Sequence, residues 1–233
     1  MRLLLFAGFL GSGKTTLILA LGRQVAFRDT RVAVIVNEVG EVGIDGDVLR
    51  MGDLQVKEIT AGCICCQIGV DLVRTLWELE ELFRPDLVII EASGIATPAG
   101  VLDALRRYPA RTVTSIETIT VVDPLRFEAL YEVLTPLIES QIIGADRVVV
   151  MKADQATPEE VEAALRTVAA LAPAAPAYVV DATRAESLEP LVAALGLAAD
   201  AGAPATSGEA AALATPAASA PLGQSATPVD AAP

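Results

Sequence analysis

The sequence predicts an α/β protein in which a mostly parallel central sheet is flanked by helices. Three observations predict it. Apolar runs alternate with amphipathic segments over residues 2–197, which is the pattern of βαβ units. Several runs are almost continuous Val, Ile and Leu, as expected of strands covered on both faces. A glycine-rich loop, "GFLGSGKTT", stands between the first apolar run and the first amphipathic segment.

In chain order, the strands are expected at Arg2–Ala7, Arg31–Asn37, Gln55–Thr60, Asp86–Glu91, Thr112–Val122, Arg147–Met151 and Ala177–Val180. Helical segments lie between them. "TTLILALGRQVAF" follows the glycine-rich loop, and Val70–Phe83 is closed off by Pro85. Pro158–Leu171 is opened by Thr157 as N-cap, with Glu159 and Glu160 in its first turn, where acids favour the helix dipole. After Leu197 the chain turns to Ala, Pro, Ser, Thr and Gly with no aromatic residue. Such a segment has too few large apolar groups to offset its ordering entropy, so residues 198–233 read as a disordered tail behind one domain, 1–197.

Composition narrows the function. The 233 residues are 53% hydrophobic and 20% charged, ample for one buried core. A net charge of −13 argues against a nucleic-acid or anionic-membrane partner. No apolar run approaches the roughly 18 residues of a membrane helix. "MRLLLFAGFLG" begins like a signal peptide, but its apolar run is short and lacks a cleavage site, so it reads as a first strand and the expected location is cytoplasmic. The three cysteines cannot all pair within one chain, and a reducing compartment suits them as thiols.

Gly8, Gly13, Lys14 and Thr15 match the phosphate-binding pattern G-x-x-x-x-G-K-[ST]. Its glycines let backbone N–H groups turn inward around phosphate oxygens, at the positive end of the following helix. The cofactor-binding residues expected here are Gly8, Gly11, Ser12, Gly13, Lys14, Thr15 and Thr16. Lys14 is to reach the β- and γ-phosphates, and the Thr15 hydroxyl is to ligate Mg²⁺. Only 3 of the 17 basic residues are lysine, and Lys14 is one of them. A chain that prefers arginine keeps lysine where a compact ammonium is needed. The fold expected from this loop in its strand–helix setting is the P-loop NTPase fold.

Further elements recur at the ends of strands. "DLVIIEASG" ends in Glu91, placed to hold Mg²⁺ or its water, and in Gly94, whose N–H could meet the γ-phosphate. "NEVGEVGIDGD" carries Glu38, Glu41, Asp45 and Asp47 among three glycines, the make-up of a nucleotide-sensing switch or of an acidic surface loop. "VVVMKAD" places Lys152 and Asp154 as in the guanine-reading Asn-Lys-x-Asp of GTPases, with Met151 at the Asn position.

All three cysteines fall in "GCICC", as Cys63, Cys65 and Cys66. Buried structural cysteine is one reading. Clustering beside Gly62, between a strand and a helix, favours thiolates on one soft cation, with Zn²⁺ the default and Co²⁺ or Ni²⁺ as alternatives.

With these motifs in this order over Arg2–Leu197, the chain resembles the CobW/HypB/UreG group of metallochaperone P-loop GTPases, closest to its CobW-like branch. The resemblance implies GTP hydrolysis coupled to metal delivery, with Cys63, Cys65 and Cys66 as ligands. It implies catalytic roles for Lys14, Glu91 and Glu38, metal contacts at Thr15, Glu38 and Glu91, and a γ-phosphate sensor at Glu91 and Gly94. The implied partners are GTP, a transition metal, a metal- or corrinoid-dependent client and, as a further option, a second copy of the chain. Three departures stand out: Met151 in the guanine motif, no sizeable C-terminal domain and no histidine-rich stretch. Two other readings stay open: a P-loop redox or metal sensor without turnover, and an ATP-dependent cofactor-assembly protein.

Overall fold

A computed structural model describes residues 1–26, 30–36, 50–51, 54–58, 67–106 and 113–198. Its elements are β1 (Arg2–Ala7), α1 (Lys14–Ala26), β2 (Val32–Val36), β3 (Arg50–Met51), β4 (Leu54–Glu58), α2 (Gln67–Leu82), β5 (Leu87–Glu91), α3 (Pro98–Leu105), β6 (Ser115–Val122), α4 (Pro124–Ile143), β7 (Arg147–Val150), α5 (Pro158–Leu171), β8 (Ala177–Val179) and α6 (Ala185–Ala194). The expected strands are present with small shifts of boundary. The strand expected at Thr112–Val122 begins only at Ser115, and the helix expected from Val70 begins at Gln67. The tail reading for 199–233 falls outside the described residues.

The strands form one sheet in the order β3-β4-β2-β5-β1-β6-β7-β8. Every pairing is parallel except β3 with β4. Period-2 alternation sends successive side chains to opposite faces. Leu4 and Phe6 of β1, Val32 and Val34 of β2, and Ile89 of β5 join Leu17, Leu21 and Val25 of α1 in one core. Leu3, Leu5, Ala33, Ile35, Val88 and Ile90 join Leu72, Leu76 and Leu79 of α2 in a second core on the other face. Burial on both faces is why these strands contain almost no polar residue.

Two helices show how the termini are written. Thr157 caps α5 through a reciprocal box: its hydroxyl accepts from the Glu160 N–H at 3.2 Å, and the Glu160 carboxylate accepts from the Thr157 N–H at 2.8 Å. In α4, Asp123 caps the first turn by accepting from the Leu125 N–H, and Pro124 occupies the first helical position. Non-helical backbone at Leu134, just before Pro136, kinks this helix at its middle.

β1 sits between β5 and β6, and the connections after β1 and β5 leave on opposite faces of the sheet, toward α1 and α3. A crevice opens where neighbouring connections diverge in this way, at the carboxyl ends of the strands.

The far end of the sheet is tied by Arg31 and Asp86, which precede β2 and β5. The Arg31 guanidinium reaches both carboxylate oxygens, Nε at 3.2 Å and NH2 at 3.1 Å, and the Arg31 N–H adds a bond at 3.0 Å. The Arg31 side-chain bond holds the Asp86 carboxyl below its ordinary value of 3.8. A lowered folded-state pKa contributes stability that is fully present above the ordinary value and is lost as pH falls through the lowered one. Asp86→Asn should therefore cost up to about 1 kcal/mol at neutral pH. The gap to wild type should close in denaturation measured below pH 3.8.

Candidate functional site

Parallel register brings the strand ends into one row. Phe6 pairs with Glu91, Ala7 with Thr120, Val122 with Val150 and Val150 with Val179. The residues that follow these strand ends are therefore neighbours: Glu91 with Ala92, Gly8, Asp123, Lys152, and the turn at Asp181.

The phosphate loop leaves β1 through Gly8, at φ +132°. A Cβ there would lie 2.3 Å from the Val121 carbonyl oxygen, so neither the backbone nor the space admits a side chain. Gly11 and Gly13 also take positive φ, turning the loop back on itself before α1 begins at Lys14. The Lys14 side chain is buried and its ammonium reaches the Phe9 carbonyl at 3.3 Å. The Ser12 hydroxyl is buried and meets no hydrogen-bond partner among the described residues. A buried polar atom left open inside a glycine cradle fits a ligand that supplies its partner. Thr16 is exposed on the first turn of α1.

The Thr15 hydroxyl donates to the Glu91 carboxylate, at 2.9 and 3.0 Å to its two oxygens. A carboxylate only accepts, so the hydroxyl proton points to Glu91 and both hydroxyl lone pairs stay available to a cation. Glu91 is almost fully buried. Three residues on, Gly94 lies against the phosphate loop: a Cβ on it would stand 2.6 Å from the Leu10 nitrogen. Thr15, Glu91 and Gly94 thus lie together beside the loop.

On the other side, Lys152 takes a left-handed conformation, φ +58°. Its ammonium bridges the Gly11 carbonyl at 2.6 Å and the Asp123 carboxylate at 2.7 Å. Met151 is buried in the core with its methyl group facing Gly13, at 3.4 Å from the position of a Cβ there. At the Asn position of the guanine motif, the chain thus has an apolar side chain that fills space under the loop. Asp154 is exposed two residues beyond Lys152.

Four residues belong to this cluster that the sequence reading did not name. Asp123 anchors Lys152. Arg126 donates to the Leu10 carbonyl at 3.1 Å and places its guanidinium over the Phe9 ring. Gln141 reaches the loop after β5. Asp181 closes a turn by accepting from the Thr183 N–H and hydroxyl, and these bonds lower its pKa. Asp123 and Asp181 carried a signal, an acid directly after an apolar strand, the same pattern that marked Glu91. Arg126 and Gln141 carried none, because their positions depend on how α4 packs.

Glu38, Cys63, Cys65 and Cys66 lie outside the described residues. Among the described residues no group of three or more Cys, Asp or Glu is placed to hold a metal. No helix among them is long and apolar enough to cross a membrane.

The model of the nucleotide-binding domain of CobW/HypB/UreG proteins matches residues 2–179. The chain belongs to the CobW/HypB/UreG family. Its curated relatives put it with the CobW-like branch. It is 37% identical over 165 residues to the zinc chaperone YeiR of Escherichia coli (strain K12), a match covering 70% of this chain and 49% of that one. To the zinc chaperone CobW of Pseudomonas aeruginosa it is 34% identical over 227 residues, covering 83% of this chain and 59% of that protein. The chain therefore spans about half the length of these curated relatives. Among solved structures, a Zn(II)-bound triple mutant of the YjiA GTPase superposes with TM-score 0.59 at 25% identity, covering 77% of this chain and 57% of that one. HypB from Helicobacter pylori in complex with nickel shares the fold, with TM-score 0.57 at 22% identity, covering 83% and 84%.

The tightest steric statement in the site is at Gly8. Gly8→Ala should cost about 2–4 kcal/mol in chemical denaturation, from left-handed strain plus collision with the β6 backbone. A cost under about 0.5 kcal/mol, the scale of an ordinary surface substitution, would show that β6 gives way.

Proposed function

We propose that this CobW-like chain is a GTP-hydrolysing metallochaperone that couples its nucleotide state to binding and delivery of a transition metal. The observation that carries the reading is the Thr15–Glu91 contact at the mouth of the Gly8–Gly13 cradle. It sets a hydroxyl and a buried carboxylate, both hard oxygen donors, at the start of α1 next in sequence to the buried Lys14.

In this reading the reaction is hydrolysis of GTP by water to GDP and phosphate. Backbone N–H groups of the cradle bind the phosphates at the start of α1, and Lys14 neutralises charge on the β- and γ-oxygens. The hard oxygens of Thr15 and Glu91 suit Mg²⁺ and are the groups that would hold it. Mg²⁺ held there would supply positive charge to offset that of the phosphate oxygens. Glu91 also orients the Thr15 hydroxyl, which meets both of its oxygens. Gly94 presents its N–H to the γ-phosphate, and Glu38 contributes near the nucleotide. Asp154 accepts from the guanine N1 and N2 donors, beside the aliphatic stem of Lys152. Because Met151 fills the bracing position with an apolar group, base preference rests on Asp154.

The metal is cargo. Cys63, Cys65 and Cys66 supply thiolates, which favour Zn²⁺, with Co²⁺ and Ni²⁺ as chemical alternatives. Two curated relatives that carry the name zinc chaperone support zinc. The recipient is proposed to be a metal- or corrinoid-dependent client. By linkage, whatever metal does to nucleotide affinity, nucleotide does to metal affinity.

Three measurements test this. Lys14→Ala should lose GTP turnover and bind triphosphate far more weakly, with its fold intact by circular dichroism. In competition, the wild type should prefer GTP over ATP, and equal affinities would promote the ATP-dependent reading that Met151 leaves open. Titration with Co²⁺ should give thiolate charge-transfer absorption that is lost in Cys65→Ser and Cys66→Ser. That absorption should report tighter binding with Mg²⁺ and a non-hydrolysable GTP analogue, by about 1–3 kcal/mol. Absorption that ignores nucleotide would make the site structural, and no absorption would favour the redox-sensor reading.

A further inference from the structure

Gln141 lies near the end of α4 and is 1% exposed. Its amide nitrogen donates to two carbonyls of the loop after β5, Gly94 at 3.2 Å and Ala96 at 3.0 Å. Both partners are acceptors, so the chemistry fixes which end of the amide faces the loop. Its own backbone carbonyl accepts from the Thr120 hydroxyl at 2.6 Å, which seats this part of α4 on β6. The neighbours Ile138 and Ile142 are buried apolar residues. A primary amide buried among them is costly unless both of its hydrogens are used.

The consequence for the loop follows from peptide planarity, because the C=O and N–H of one trans peptide point in opposite directions. The Ser93 carbonyl accepts from the Ala96 N–H at 2.8 Å, which aims the Gly94 N–H the other way. Gln141 captures the Gly94 carbonyl, which aims the Ile95 N–H away from α4. The turn so held is the one whose Gly94 backbone rests on Leu10 of the phosphate loop. The same helix begins beside that loop, where Arg126 holds the Leu10 carbonyl. Between its two ends lies the Pro136 kink, spanned by a hydrogen bond from the Tyr131 hydroxyl to Glu139 at 2.9 Å.

We propose that Gln141 is a positioning residue for the γ-phosphate: it locks the Ser93–Ala96 turn so that backbone N–H groups of that turn meet GTP but not GDP. The inference rests on the GTPase reading above. Gln141→Met keeps the length and removes both donors. Its affinity for a non-hydrolysable GTP analogue with Mg²⁺ should fall roughly tenfold, the scale of one lost hydrogen bond. Its GDP affinity should stay within about twofold, and kcat should fall more than KM rises. Thr120→Val loosens the same helix without touching the turn, so it should lower Tm and leave the GTP-to-GDP affinity ratio as in wild type. A Gln141→Met ratio equal to wild type, or a ratio that changes equally in Thr120→Val, overturns the proposal. If Gln141→Met does not fold, Gln141→Asn, with the amide one methylene short of both carbonyls, is read by the same ratio. A wild type that binds the GTP analogue and GDP equally also overturns the proposal, whereas a wild type without GTP turnover sinks the GTPase reading itself, which separates the two failures.

Discussion

A loop can turn its N–H groups toward an anion only if the carbonyls on the same peptide planes are satisfied elsewhere. Much of the architecture here serves that requirement. The Phe9 carbonyl accepts from the Ser12 N–H at 3.2 Å and from Lys14. The Leu10 carbonyl takes Arg126 from α4, and the Gly11 carbonyl takes Lys152 from the end of β7. Three consecutive carbonyls are thus held by donors from three places in the sequence, brought together only by the parallel order of β1, β6 and β7. The motif is local, but its function depends on the whole sheet.

The same requirement explains where the chain keeps its lysines. Lys14 and Lys152 are two of three, and both put an ammonium on a loop carbonyl at close quarters. A guanidinium is planar and broader, and it suits the rim, where Arg126 stands over Phe9 at 5.8 Å from the ring centroid. These local cations sit against the loop although the protein carries −13 overall. Long-range repulsion of a triphosphate is screened beyond about 8 Å at physiological salt, whereas contacts inside the cradle are not.

The sequence was informative where chemistry is local and periodic. Continuous apolar strands, the glycine cradle, the Thr157 cap and the acid at the end of β5 can all be read without knowing the fold. What could not be read depends on packing. Gln141 and Arg126 look like ordinary polar residues of an amphipathic helix, and only the seat of α4 beside β6 turns them toward the loops. Met151 was legible as a departure from the guanine motif, but its contact with Gly13 needed the register of β7 against β6. The β3–β4 hairpin, with only two residues in β3, is too short for alternation to show.

Strand register also bounds the link between nucleotide and metal. β2 pairs with both β4 and β5, matching Val36 with Glu58 and Ile35 with Ile90. The acidic glycine-rich stretch starts one residue after Val36, the thiol stretch starts a few residues after Glu58, and Glu91 follows Ile90. All three therefore leave the same carboxyl edge of the sheet from adjacent strands, which are spaced about 4.8 Å apart. Cys66 is bonded directly to Gln67, the first residue of α2. In the proposed reading, a metal on those sulfurs would be held by the chain segment that joins β4 to α2. Coupling between the two, on the proposed reading, would need no relay through the core, because all three stretches leave one edge of the sheet from adjacent strands.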